Sequence, residues 1–231
     1  VAVGSISAGA ITFNTPGSGA YTLSGGAITL DGTAPTIAAN VNATIVSDLA
    51  GTGGLTKSGA GVLTLSGTLA YTGDTVVDGG TLVLNKGGTL GGGNTGQFSS
   101  SGHTITVNDG AVLRMTQSWA MGDGQQHHLV ANGGTIEFSN SDNYQSSIEL
   151  TGGAIVTSGG NRPWRVGNYD DATITVNASD MSSTISGSLC LVKTANADLI
   201  TFDVADGGAE DDLLVSSTIY DHPPAGATNY G

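Results

Sequence analysis

Five times along the chain, a short alternating strand runs into a glycine-bearing corner and out again into a second strand. The units are YTLSGGAITL (Tyr21 to Leu30), TVVDGGTLVL (Thr75 to Leu84), ITVNDGAVLRM (Ile105 to Met115), HLVANGGTIEF (His128 to Phe138) and IELTGGAIVT (Ile148 to Thr157). Alternation with period two puts apolar residues on one face of a strand and polar residues on the other. The corner glycines supply positive φ, a conformation that costs a residue with a Cβ about 1 kcal/mol or more. Asp-Gly and Gly-Gly are also hairpin signals, so an antiparallel β-sandwich is one way to use these units. Recurrence at spacings near twenty residues favours another. The expected fold is all-β: a right-handed parallel β-helix, or β-solenoid, of about 20 residues per coil, with each coil stacked on the one before.

Composition supports this reading. The 231 residues include 38 glycines, and only 5% are aromatic, so small aliphatic side chains must fill the core. No window of a dozen residues holds helical spacing without an interrupting glycine. Charged residues make up 11% of the chain, and 19 acids against six bases leave a formal charge of −13. That charge argues against nucleic acid or an anionic membrane surface as a partner. No apolar run reaches the roughly 18 residues of a membrane helix, and the start VAVGSISAGAITF lacks the basic residues of a signal peptide.

The stretch GGLTKSGAGVLTLSGTLAYTGDTVVDGGTLVL resembles the passenger-associated transport repeat, also called the autotransporter-associated β-strand repeat, of large secreted bacterial proteins. The resemblance runs through Gly53, Gly54, Leu55, Lys57, Gly59, Gly61, Leu63, Leu65, Gly67, Tyr71, Gly73, Thr75, Val77, Gly79, Gly80 and Leu82. Where that family usually carries Asn-Thr before the tyrosine, this chain has Leu69 and Ala70. The resemblance implies a parallel β-helix in an exported or cell-surface protein, with the repeat assisting folding and transport, and it implies no reaction. The chain is therefore expected to be a single solenoid segment over 1–231, with the family-like repeat at 51–85. Leu63, Leu65, Val77, Leu82 and Leu84 are expected inside, and Lys57 outside as a solvated charge that discourages stray strand pairing.

Four clusters could carry chemistry. The loop DVADGGAEDDL gathers Asp203, Asp206, Glu210, Asp211 and Asp212, which could offer calcium several oxygens. It fits neither an EF-hand nor a calcium-binding nonapeptide repeat, and a solvated acidic corner is the better reading. NRPWRVGNYDD holds Arg162, Trp164, Arg165, Tyr169, Asp170 and Asp171. Trp164 there either stacks on a sugar or folds back as an apolar plug, with the arginines pairing Asp170 and Asp171. His127 and His128 are adjacent on a strand and point to opposite faces, while His103 and His222 stand apart. All four are expected to be surface residues. Cys190, in SGSLCLVK, has no second cysteine to pair with and reads as a buried strand thiol. No catalytic, cofactor or metal residue is assigned.

The expected role is a non-enzymatic structural or adhesive segment of a bacterial secreted or cell-surface protein, as a stalk or filament subunit. The alternative is a polysaccharide-active or carbohydrate-binding β-helix. Ice binding through Thr-x-Thr rows is a third class, but the TIT motifs at Thr104 and Thr173 keep no constant period. Neither end reads as a capping element. The expected partners are therefore copies of the chain stacked head to tail or further solenoid repeats of the same parent protein, besides surface glycans.

Overall fold

In the computed structural model, the alternating segments form strands and no helix. It describes residues 2–16, 20–87, 97–99, 102–121, 127–139, 143–145, 147–158, 164–166, 171–191 and 199–221. Among these residues the strands assemble into three sheets, of twelve, nine and four strands. The four coils between Ile6 and Leu84 each cross the four-stranded sheet, then the nine-stranded, then the twelve-stranded. One coil carries Leu49–Gly51, Leu55–Ser58 and Val62–Leu65, and the next repeats it with Leu69–Tyr71, Thr75–Val77 and Thr81–Leu84. The pairings between these strands are parallel. An antiparallel contact, Asn108 with Gly133, is an isolated bridge at a corner. The chain is a parallel β-solenoid, and the sandwich alternative is excluded.

Register turns the alternation into continuous columns. On the twelve-stranded sheet Ala43, Leu63, Leu82, Leu113, Ile136, Ile155 and Ile185 lie directly over one another, and all are buried. A second column on that sheet joins Ile45, Leu65, Leu84, Met115 and Phe138. Stacked like on like at the strand spacing of about 4.8 Å, aliphatic side chains of uniform size fill the interior without aromatic bulk. Leu63, Leu65, Val77, Leu82 and Leu84 are all inside, as expected.

Coil length varies more than the sequence spacing indicates. Leu49 pairs with Leu69 and Leu55 with Thr75, twenty residues apart, but Leu82 pairs with Leu113, thirty-one residues on. Four of the five glycine-cornered units turn from the nine-stranded to the twelve-stranded sheet. The first, YTLSGGAITL, does not: Tyr21–Gly25 belongs to the twelve-stranded sheet and Ile28–Leu30 to the four-stranded one. The motif marks a bend between sheets, and the same local chemistry serves two different corners.

Beyond Leu69–Tyr71 the four-stranded side continues as single contacts. These are a bridge from Leu69 to Phe98 and a hydrogen bond from Gln97 N to the Ala120 carbonyl at 2.8 Å. Further along, Tyr144–Gln145, Trp164–Val166 and the end of the nine-residue strand Ser183–Leu191 cover that side. This long strand serves two faces because it bends at Gly187, where φ is +93° and a Cβ would lie 2.2 Å from the Thr157 carbonyl oxygen. Thr184–Ser186 then pair with Ala154–Val156, and Leu189–Leu191 pair with Trp164–Val166.

The column through Leu82 generates a stability prediction. Leu82→Ala leaves a cavity between Leu63 and Leu113 and is expected to cost about 2–5 kcal/mol. A lowered denaturant midpoint in chemical unfolding followed by circular dichroism checks it, and an unchanged midpoint would refute the register.

Candidate functional site

The repeat places its one lysine inside, contrary to expectation. Leu55 and Lys57 are two residues apart on strand Leu55–Ser58, so both point inward, and Lys57 is fully buried. It occupies a column position between Ile37 and Val77. Its ammonium reaches the corner between the nine- and twelve-stranded sheets. There it donates to the carbonyls of Gly59 at 2.6 Å, Gly61 at 2.9 Å and Gly79 at 2.5 Å. Three donors meet three acceptors, so the buried charge is satisfied in full. Gly59 and Gly61 belong to the lysine's own corner and Gly79 to the next coil's, which makes Lys57 a clamp between successive coils. Burial lowers its pKa to about 8. The three carbonyl dipoles favour the charged form, and at neutral pH it is an ammonium. The glycines admit the clamp by keeping the corner backbone close: a Cβ on Gly61 would sit 2.4 Å from the Val41 carbonyl carbon.

Other corners use the same device with neutral groups. Gln97, buried, donates through Nε2 to the carbonyls of Leu65 at 2.8 Å and Gly67 at 3.2 Å, at the turn out of the twelve-stranded sheet. Asn143, also buried, accepts from Met121 N through Oδ1 at 3.2 Å and donates through Nδ2 to the Gln117 carbonyl at 3.4 Å. The Tyr71 hydroxyl lies 2.6 Å from Thr75 Oγ1, and burial pushes the phenol pKa above its usual value.

Two of the histidines expected at the surface are also inside. Residues 105 and 107 face inward, and so do 129 and 131, so His103 and His127 fall on the inward phase of their strands and are buried. Their rings stack at 5.4 Å with 20° between planes, and Phe98 packs against both. His128, adjacent to His127, faces outward as expected. It contacts Ser147 Oγ at 2.7 Å and Glu149 Oε2 at 3.3 Å, and Glu149 also accepts from Asn177 Nδ2 at 2.6 Å. On the twelve-stranded face Arg114 donates to Glu137 at 2.7 Å, and Ser158 donates to the other Glu137 oxygen at 2.8 Å. Glu137 and Glu149 thus lie on different sheets, each held within a ladder of its own face.

Trp164 is the plug. It is fully buried in strand Trp164–Val166 and stacks on Phe138 at 5.4 Å, with the planes 13° apart. Its neighbour Arg165 is buried as well. Arg162, Tyr169 and Asp170 lie outside the described residues, and so does His222. Asp171 accepts from Leu199 N at 2.6 Å. In the acidic loop Asp203, Asp206, Glu210 and Asp211 are exposed, and Asp212 accepts from Gly207 N at 2.9 Å. Among the described residues no three His, Cys, Asp or Glu side chains gather as a metal site. Cys190 is buried in its strand. The Thr104 row of the nine-stranded sheet runs through His128, Ser147 and Thr173, so it offers no continuous threonine array. A groove of about 400 Å³ follows the corner lined by Gly53, Gly54, Thr56 and Asp74. Asp74 there accepts from Thr104 N at 2.8 Å.

The architecture defined by these observations is a parallel β-solenoid whose buried polar groups clamp its own corners. Residues 55–84 match the passenger-associated-transport-repeat family, and these residues include the strand that carries Lys57. The chain is also 30% identical, over 211 residues, to the adhesin BmaC autotransporter of Brucella suis biovar 1 (strain 1330). That match covers 77% of this chain and 6% of the adhesin, so the chain spans a small part of that relative's length. No solved structure matches the chain.

Lys57→Met keeps the aliphatic stem but leaves the three carbonyls without their donor. The variant is expected to lose about 1–3 kcal/mol of stability, the usual cost of buried groups left unsatisfied, read as a lower thermal midpoint at pH 7. A variant as stable as the parent would show that the clamp contributes nothing.

Proposed function

We propose that this chain is a non-enzymatic, surface-displayed solenoid segment of a bacterial autotransporter passenger, with a structural and adhesive role. The single observation that supports it most is the clamped repeat: the sequence that matches the transport-repeat family is also the part whose lysine and glycines join consecutive coils. Similarity to an adhesin autotransporter supports the adhesive part of the reading and the location outside the cell. Displayed on a non-adherent bacterium through a heterologous outer-membrane barrel, the chain should become accessible to external protease and raise attachment to host cells above that of the barrel alone. Attachment equal to the barrel control would overturn the adhesive reading. Surface glycans are the proposed target class, and enzymatic removal of host-cell glycans should lower the attachment.

The polysaccharide-active alternative needs two carboxyl groups facing one substrate. Glu137 and Glu149 lie on different sheets, each engaged within its own face, and the Asp74 groove brings no second acid into its lining. Pectin and alginate are therefore expected to stay intact on incubation with the chain. Turnover abolished by Asp211→Ala or Arg165→Ala would restore the enzyme reading.

The proposal extends to a partner. Phe202 and Val204 continue inward columns of the nine-stranded sheet, and Val215 and Ile219 continue those under Ile185 and Leu189. All four are exposed, and at the opposite end so is Ile6, which stands under Ile28. Because every strand in these sheets runs parallel, a second copy can add its first coil to the last in the same register, head to tail. The charge of −13 opposes this, so association should strengthen with salt. Light scattering across a salt series tests it, and a monomer at every salt and protein concentration removes self-stacking.

A further inference from the structure

His103 and His127 occupy equivalent inward positions on successive coils, one beside the other, at the corner where the chain enters the nine-stranded sheet. Phe98 covers both rings, at 5.3 Å and 4.9 Å, and Tyr71 stands edge-on to His103 at 6.1 Å. His103 Nδ1 meets the Gly73 carbonyl at 2.9 Å. Neither ring nitrogen of His127 has a hydrogen-bond partner among the described residues. The geometry points to an acid-sensitive latch: the two stacked imidazoles hold adjacent coils together while His127 is neutral, and its protonation releases the solenoid between strands Thr104–Asn108 and His128–Asn132.

The surroundings offer an added proton little compensation. On the strand Leu69–Tyr71 the facing group is the Tyr71 phenol, engaged with Thr75. The segment 97–99 contributes the phenyl ring of Phe98. The neighbouring carbonyls of Met121 and His103 favour the charged form slightly, but burial and the second imidazole outweigh them and hold His127 at about 4. Asp74, at the same corner, is exposed and turned to Thr104 N. Glu149 lies on the outer face with His128. On the next coil the buried group is the neutral amide of Gln145, and Arg165, two coils on, adds fixed positive charge to the interior. Lys57 sits at the other corner of the nine-stranded sheet.

The sign follows from linkage. With His127 near 4 in the fold and about 6.5 when unfolded, the open form binds a proton that the closed form refuses. The latch is fully closed above pH 6.5 and weakens as pH falls towards 4. At pH 5 the open form should gain on the order of thirtyfold relative to the closed.

Hydrogen exchange on the whole chain at pH 7.5 and 5.0, corrected for the intrinsic rate, tests this. Protection in Thr104–Asn108 and His128–Asn132 should fall at least tenfold at the lower pH, while Val62–Leu65 changes much less. His127→Phe, which keeps an aromatic ring and removes the titrating group, should abolish the difference. Equal pH dependence in the parent and the variant would overturn the proposal. Should the variant fail to fold, NMR titration of the parent's imidazole resonances decides. A His127 that stays neutral until the fold opens below pH 5 upholds the latch, and one titrating near 6.5 in the intact fold refutes it.

Discussion

Everything in this molecule depends on one constraint: each inward side chain must stack on its equivalent in the coils before and after it. Parallel hydrogen-bonded ladders hold neighbouring strands at about 4.8 Å, so a column such as Ala43, Leu63, Leu82, Leu113 and Ile136 is a continuous apolar rod. A bulky or ill-shaped residue at one position disturbs two neighbours. This is why a chain so poor in aromatic residues and without any disulfide can bury a continuous core through coil after coil of the described residues. Where large rings do enter, they enter together: Phe138 with Trp164, and Tyr71 with Phe98 and the two histidines.

The same geometry creates the problem that the buried polar residues answer. A solenoid turns a corner several times per coil, and each corner leaves carbonyls pointing away from the ladders. Left in an apolar interior, such groups are costly. Lys57 supplies donors to three of them, and Gln97 to two. An ammonium suits the tightest case because its three protons can reach two successive coils at once. The lysine of the transport repeat is thus part of the fold's interior, and its charge is offset by backbone dipoles in place of an acid.

Outside, the ladder logic persists with polar residues. Asp78 accepts from Asn108 at 2.6 Å, and Asn132 donates to Asn108 at 3.4 Å, so one edge carries a row of side-chain hydrogen bonds running with the coils. Arg114 with Glu137, and His128 with Glu149, are the charged counterparts on two different faces. Exposed pairs of this kind contribute little stability each. They do organise the surface into narrow strips of like spacing, a form suited to contact along a length and poorly suited to enclosing a small substrate.

The alternation along the sequence by itself determined that the chain is all-β and which strand positions face inward, because period two is a property of the single strand, while recurrence near twenty residues pointed to stacked coils. Leu63, Leu65, Val77, Leu82 and Leu84 were legible for that reason. The phase that buries Leu55 also buries Lys57, and the phase that buries Ile105 and Leu129 also buries His103 and His127. The signal was present, but charge and polarity argued for the surface. What overrode them was decided only in three dimensions. The Gly79 carbonyl that receives Lys57 lies 22 residues away, and it arrives there because the intervening coil happens to be short. The stacking of His103 on His127 depends on a coil of twenty-four residues, following one of thirty. Likewise YTLSGGAITL carries the same local pattern as the other units and still turns a different corner, since the corner is set by which strand of the preceding coil it must pair with. Local chemistry dictates that a strand bends and which face it buries. Only the accumulated lengths of the coils decide what that face will meet.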